Sequence, residues 1–180
     1  VVLQELIHGD KLISGVDMSF RMLVRIAALI VAYPTQVHPI IANHELSQLT
    51  RRGITKGKGN IVELFIDGVE WVFGTESDSV FEAIDSFFLA MPLAVKSASG
   101  LMCCHSLPNA PLMHVFDKDV LNRSLTEADR NNVDGSATLM VWGRVHTESQ
   151  VCALAKAWDV KLFCLGHAFV SEGIEMLMPN

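Results

Sequence analysis

Val37-His38-Pro39-Ile40-Ile41-Ala42-Asn43-His44-Glu45 decides how this chain is read, because an apolar run of strand character ends on a histidine held between an amide and a carboxylate. The pattern returns downstream. His105 closes Leu101-Met102-Cys103-Cys104, and His167 closes Val160 to Leu165 through Gly166. Each polar residue stands where a buried strand would end. In open α/β folds, side chains distant in sequence converge beyond the carboxyl ends of the strands, and ligands bind there. The spacing therefore predicts one convergent site built from imidazole, amide and carboxylate groups.

Composition frames that expectation. The chain has 180 residues, half of them apolar, which is enough for one substantial core, so a single domain over 1–180 is expected. A net charge of −6 argues against a broad nucleic-acid surface, and any attraction of phosphate would be local, from arginine or metal. Cys103, Cys104, Cys152 and Cys164 lack C-x-x-C spacing, and three of them lie in apolar runs. They read as free thiols of a cytoplasmic protein. The longest apolar stretch, Met22 to Ala32, is interrupted by Arg25 and is too short for a membrane span, so no membrane partner is expected. No signal peptide is evident. The oligomeric state is unknown at this level.

Helical spacing of Met22, Leu23, Ile26, Leu29 and Ile30 predicts a helix over Val16 to Tyr33, stopped by Pro34. Gly9-Asp10 would lie between a strand and this helix. Val37 to Ile41 suits a buried strand, and a short helix is expected from Leu46. Thr55-Lys56-Gly57-Lys58-Gly59-Asn60 reads as a basic, solvated loop. Asp78 to Met91 suits an amphipathic helix ending at Pro92, its aromatics read as core. Leu93 to Ser97 and Leu101 to His105 flank Ala98-Ser99-Gly100 as a hairpin. Asp117 to Gly135 is a polar cover. Leu139 to Trp142 is read as a strand, Glu148 to Trp158 as a helix, and Val160 to Leu165 and Ile174 to Met178 as strands. The order predicts an α/β fold, a layered sandwich of two mixed β-sheets flanked by helices.

Gly9-Asp10, Asn43-His44-Glu45, His105 and Gly166-His167 follow one another in the order of the calcineurin-like metallophosphoesterases. The chain resembles their phosphoprotein-phosphatase branch over nearly its whole length, in a divergent, bacterial-type form. That resemblance implies a binuclear-metal hydrolase with Asp10, Asn43, His105 and His167 as ligands of two divalent ions. Carboxylate, amide and imidazole donors suit manganese, iron or zinc, and metals roughly 3.5 to 4 Å apart lower the pKa of a bridging water. The expected reaction is attack of a metal-bridging hydroxide on a phosphate ester. The substrate is a phosphoprotein, a dinucleoside polyphosphate or a small phosphomonoester.

The same resemblance gives His44 the part of proton donor to the leaving alkoxide, with Glu45 or another carboxylate orienting it. Arg144, in Val141-Trp142-Gly143-Arg144, matches a late arginine that holds a phosphate oxygen, and His146 is expected to face substrate. Taken singly, each histidine reads as a structural residue and Arg144 as a surface ion-pair partner; the family order reverses those odds. His8, His38 and His114 lack such support and are read as structural.

Three departures from the family pattern shape a second expectation. No aspartate stands two places before a histidine, so the first metal box, Asp-x-His-Gly, is missing. It is expected to lie upstream of Val1. Lys11-Leu12-Ile13-Ser14-Gly15 follows Gly9-Asp10 where an Asp-Arg pair is usual in that family, so either the phosphate-clamping arginine is absent, with Arg21 or Arg25 as a weak substitute, or further residues separate Asp10 from Lys11 in the whole protein. His105-Ser106-Leu107 replaces His-Gly-Gly, and Gly166-His167-Ala168 replaces Gly-His-Thr. The alternative these departures favour is a catalytically impaired, phosphatase-like binding module. A thiol enzyme using Cys103 or Cys104 is weaker still, both lying within an apolar strand.

Overall fold

The computed structural model describes residues 1–57 and 59–176. Its fold is mixed α/β, with small sheets of two, two and three strands among helices. The chain divides into two compact units, Val1–Pro92 and Leu93–Asn180.

In the first unit, β1 (Val2–Leu3) pairs in parallel with β2 (His38–Pro39). The ladder uses the N–H groups of His38 and Ile40, bonded to Val1 O and Leu3 O, so Pro39 sits where no donor is needed. The predicted strand over Val37 to Ile41 is therefore realised as this short pair. Helix α1 (Phe20–Ala32) starts later than Val16 because Asp17 turns back on itself, its Oδ1 accepting the Ser19 N–H. It buries Phe20, Leu23 and Ile26.

Helix α2 (Asn43–Leu49) begins three residues before the Leu46 expected from sequence. Asn43, His44 and Glu45 thus form its first turn. The segment read as a solvated loop is exposed at Thr55, Gly57 and Gly59, but β3 (Thr55–Lys56) and β4 (Gly59–Asn60) pair in it as an antiparallel ribbon. Asn60 then caps α3 (Ile61–Phe73), accepting the Val62 N–H at 3.3 Å. This helix has no counterpart in the sequence reading. It buries Phe65 and Val69 completely, and a side chain the size of Phe contributes about 1.5–3 kcal/mol when so enclosed. Helix α4 (Ser77–Ala90) lies where predicted, with Ile84 and Phe88 inward and Val80, Phe81 and Phe87 half-buried.

In the second unit, β5 (Ala94–Lys96) and β6 (Leu101–Cys104) form the predicted hairpin, and β7 (Leu162–Leu165) joins β6 in parallel, giving the order β5-β6-β7. The polar segment after Asp117 is folded around Arg123. Its guanidinium bonds Asp117 Oδ2 at 2.7 Å and Asp129 Oδ2 at 2.6 Å, holding both carboxyls below their ordinary range. Helix α5 (Glu127–Asn131) starts there with Thr126 and Asp129 capping each other.

The sequence reading of Leu139 to Trp142 as a strand is corrected: these residues belong to α6 (Ser136–Trp142). Ser136 to Val141 are all buried, so the run shows no amphipathic period by which a helix is told from a strand. Helix α7 (Glu148–Trp158) occupies the predicted span, opened by Thr147 and Gln150 as a capping box. Ile174 to Met176 are irregular rather than the start of a last strand, and Leu177 and Met178 lie outside the described residues. Among the described residues no helix is long and apolar enough to cross a membrane.

Candidate functional site

The first turn of α2 is pinned by Glu45. One carboxyl oxygen accepts the Ala42 N–H at 3.1 Å, closing the helix N-terminus, and the other accepts the Leu6 N–H at 2.6 Å. The helix start is thereby fastened to the segment that follows β1. Complete burial raises the Glu45 pKa to about 7, against the lowering effect of those backbone donors. Both oxygens being engaged by backbone, Glu45 is not the group that meets the His44 ring. His44, itself buried, donates from Nδ1 to Ile7 O at 3.3 Å, and its Nε2 lies 3.9 Å from Glu5 Oε1. The carboxylate facing His44 is Glu5.

His8 stands beside this ring, centroids 5.1 Å apart, with Nε2 3.0 Å from Gln48 Oε1 and the Phe65 ring roughly perpendicular to its own at 5.8 Å. Its backbone is left-handed, φ 62°, a conformation that costs a non-glycine residue of order 1 kcal/mol or more. The His8 N–H donates to Ser19 Oγ, which donates in turn to Asp17 Oδ2. Asp17 is almost fully enclosed, and burial pushes its pKa up despite the Ser19 bonds. His8, Asp10 and Asp17 share the wall of a cavity of about 180 Å³, closed on the α3 side by Ile61 and Leu64. Asp10 is exposed there, while Asn43 is buried at the start of α2, and neither Asn43 nor His44 is among the lining residues described.

His8 and Asp17 were both left out of the sequence-based site. The available signal for His8 was its place directly before Gly9-Asp10. Asp17 carried no signal beyond Val16-Asp17 ahead of a helix, and only the fold shows it enclosed.

In the second unit, His105 follows β6 directly, is 1% exposed, and accepts the Gly166 N–H on its carbonyl at 3.1 Å, which extends the β6–β7 ladder by one step. His167 follows at φ 61°. The rings approach at 3.0 Å between His105 Nε2 and His167 Nδ1, interplanar angle 62°. Arg144 Nη1 donates to His167 O at 3.1 Å, and the Trp142 ring stands edge-on to the His167 imidazole. The two predicted histidines and the predicted arginine are thus brought together.

Their support comes from Asn109, which the sequence reading did not single out, and from Ser106, which it did. Asn109 Oδ1 accepts the N–H groups of both Arg144 and Val145, at 2.7 and 2.8 Å, fixing the backbone that carries the guanidinium. Pro108-Asn109 is a turn signal, and that was the available clue. Ser106 is buried and donates to Gly143 O, so the serine ties the loop after β6 to the turn before Arg144. His146 is half-buried; burial lowers its pKa, partly offset by the Pro108 carbonyl, and its Nδ1 has no hydrogen-bond partner among the described residues.

A zinc–imidazole bond is about 2.0–2.1 Å, so two nitrogens held at cis or tetrahedral angles on one ion are about 2.9–3.4 Å apart. The His105–His167 separation of 3.0 Å fits that span. Asp10 and Asn43 offer oxygen donors of the kind manganese, iron and zinc accept. Compared with known protein families and with curated proteins, the chain finds no match.

Proposed function

We propose that the protein is a metal-dependent phosphoesterase that hydrolyses a phosphate ester of a phosphoprotein, a dinucleoside polyphosphate or a small phosphomonoester. The observation that carries the reading is the His105–His167 nitrogen pair with Arg144 anchored on the carbonyl of the second histidine. Asp10, Asn43, His105 and His167 would hold two divalent ions, manganese, iron or zinc. Such ions, when bound, supply hydroxide from water near neutral pH and neutralise phosphate charge.

The chain's own groups do the rest. Arg144 commits Nη1 to a backbone carbonyl, which leaves the rest of its fork of donors to clamp a phosphate oxygen. His44 keeps a proton on Nδ1 for Ile7 O, so the proton it delivers to the leaving oxygen comes from Nε2, the nitrogen that faces Glu5 at 3.9 Å. His146 is kept neutral by its burial and suits a contact with a substrate hydroxyl or ester oxygen.

The reading extends to the architecture, a layered sandwich of two mixed sheets flanked by helices, and to a cytoplasmic setting. Four free cysteines support the latter. The test is hydrolysis of p-nitrophenyl phosphate by the full chain, stripped of metal and titrated with manganese, iron and zinc. Metal-dependent turnover is expected, with His44→Asn lowering kcat by about 10²–10⁴-fold while metal stays bound. Full activity in that variant would remove His44 from the chemistry. The second reading is a catalytically impaired, phosphatase-like binding module, motivated by the lack of an Asp-x-His-Gly box in this sequence; no turnover with any of the three metals would favour it over the first.

A further inference from the structure

We propose that Cys103 and Cys164 form a reversible two-electron oxidation site, where a peroxide-class oxidant joins them as a disulfide beside the His105 and His167 rings. The two residues are register partners on the parallel strands β6 and β7, and their side chains meet within hydrogen-bonding reach. Neighbouring strands run about 4.7–4.9 Å apart, inside the window of roughly 4.4–6.8 Å between Cα atoms that a disulfide spans. Cys164 is exposed and Cys103 is partly exposed, so an oxidant reaches the pair from the Cys164 side.

The other thiols are poorly placed. Cys104 points to the opposite face of β6, is 1% exposed, and has Leu165 as its register partner. Cys152 is on α7. On its other side, Cys103 faces Val95.

The chemistry closes without further reagents. Cys164 sulfur attacks hydrogen peroxide, breaking the O–O bond to give a sulfenic acid and one water. Cys103 sulfur then attacks the sulfenic sulfur; the S–S bond forms, the S–O bond breaks, and a second water leaves with the thiol proton. Each sulfur loses one electron, and both peroxide oxygens end as water. Exposed disulfides are the more readily reduced ones, and Cys164 is exposed. Reversibility is built into the position.

The pair also lies on the path to the histidines. His105 is two residues beyond Cys103, Gly166 is two beyond Cys164, and the Gly166 N–H bonds His105 O at 3.1 Å. Closing the bridge draws the end of β7 toward β6 and moves His167 against His105. That consequence for metal affinity rests on the phosphoesterase reading, whereas the thiol chemistry does not.

The experiment treats the reduced full chain with hydrogen peroxide, blocks residual thiols by alkylation, and maps peptides by mass spectrometry. A cross-linked Cys103–Cys164 peptide is expected, removed by dithiothreitol, absent from Cys164→Ser and retained in Cys152→Ser. Sulfinic acid at Cys164, or links through Cys152, with no such peptide in the unsubstituted chain, would overturn the proposal. Cobalt(II) titration of the reduced and oxidised forms reads the coupling. Binding weaker by about tenfold or more after oxidation is expected, the scale on which groups around metal ligands act; equal affinity overturns the coupling. A chain that binds no cobalt in either form overturns the phosphoesterase reading and the coupling together, and leaves the cross-linked peptide to decide the disulfide.

Discussion

The Glu45 carboxyl is fully enclosed and accepts two backbone N–H bonds, one that closes the first turn of α2 and one that reaches back to Leu6. Because burial raises its folded pKa to about 7, above the ordinary 4.5, the folded chain binds this proton more tightly than the unfolded chain. The stability it contributes is complete below about pH 4.5 and is lost as pH rises through about 7. Urea unfolding should therefore show the chain less stable at about pH 8 than at about pH 5, by on the order of 3 kcal/mol from this group. Asp17, also raised by burial, adds to the trend in the same direction. Glu45→Gln should flatten part of the slope while costing about 1–3 kcal/mol, since its amide turns a donor toward one of the two N–H groups. An unchanged slope in that variant would assign the pH dependence elsewhere.

Elements differ in how far their sequences betray them. Helices α4 and α7 and the β5–β6 hairpin were legible because an apolar stripe, a capping box or a glycine turn marked each one. Helix α6 was not, because every residue from Ser136 to Val141 is buried and period carries no information there. Helix α3 shows a different limit: Gly68 within Ile61–Phe73 lowers helix propensity, yet a side chain at that position would collide with Asp17 O, so packing chose the glycine. Of the candidate site residues, His44, His105, His167, Arg144 and the departure at Ser106 could be picked out, while Asn109 and Asp17 act through backbone contacts that no spacing reveals. Gly143 tests that support. Any Cβ there would overlap Leu107 O, so Gly143→Ala should displace the turn that carries Arg144. Stability is expected to fall by about 1–3 kcal/mol and KM for a phosphate ester to rise with it, both read from one preparation; wild-type KM in the variant would detach Arg144 from substrate binding. Thr147, whose hydroxyl accepts the Gln150 N–H, provides the contrast, since Thr147→Ala should cost about 1 kcal/mol and leave KM unchanged.

For the molecule as a whole, a net charge of −6 would repel the anionic phosphate ester proposed as substrate, so under that proposal its attraction has to be local. Bound divalent ions would reverse the sign where it matters, and they also provide a measure that does not depend on turnover. An ion that binds the folded chain and not the unfolded one stabilises it by RT ln(1 + [L]/Kd), about 2.7 kcal/mol at a hundredfold excess over Kd. For a chain of this size that corresponds to a rise in Tm of roughly 5–10 °C. Calorimetry of the stripped chain with manganese added is expected to show this rise, and a chelator should reverse it. His167→Ala should remove most of it, because a lone His105 nitrogen lacks the partner held 3.0 Å away. A full rise in that variant would place the ion elsewhere than on the histidine pair. A rise in the unsubstituted chain without hydrolysis of any phosphate ester would identify a metal-holding binding module, and no rise at all would leave His105 and His167 as a hydrogen-bonded clasp between the ends of β6 and β7.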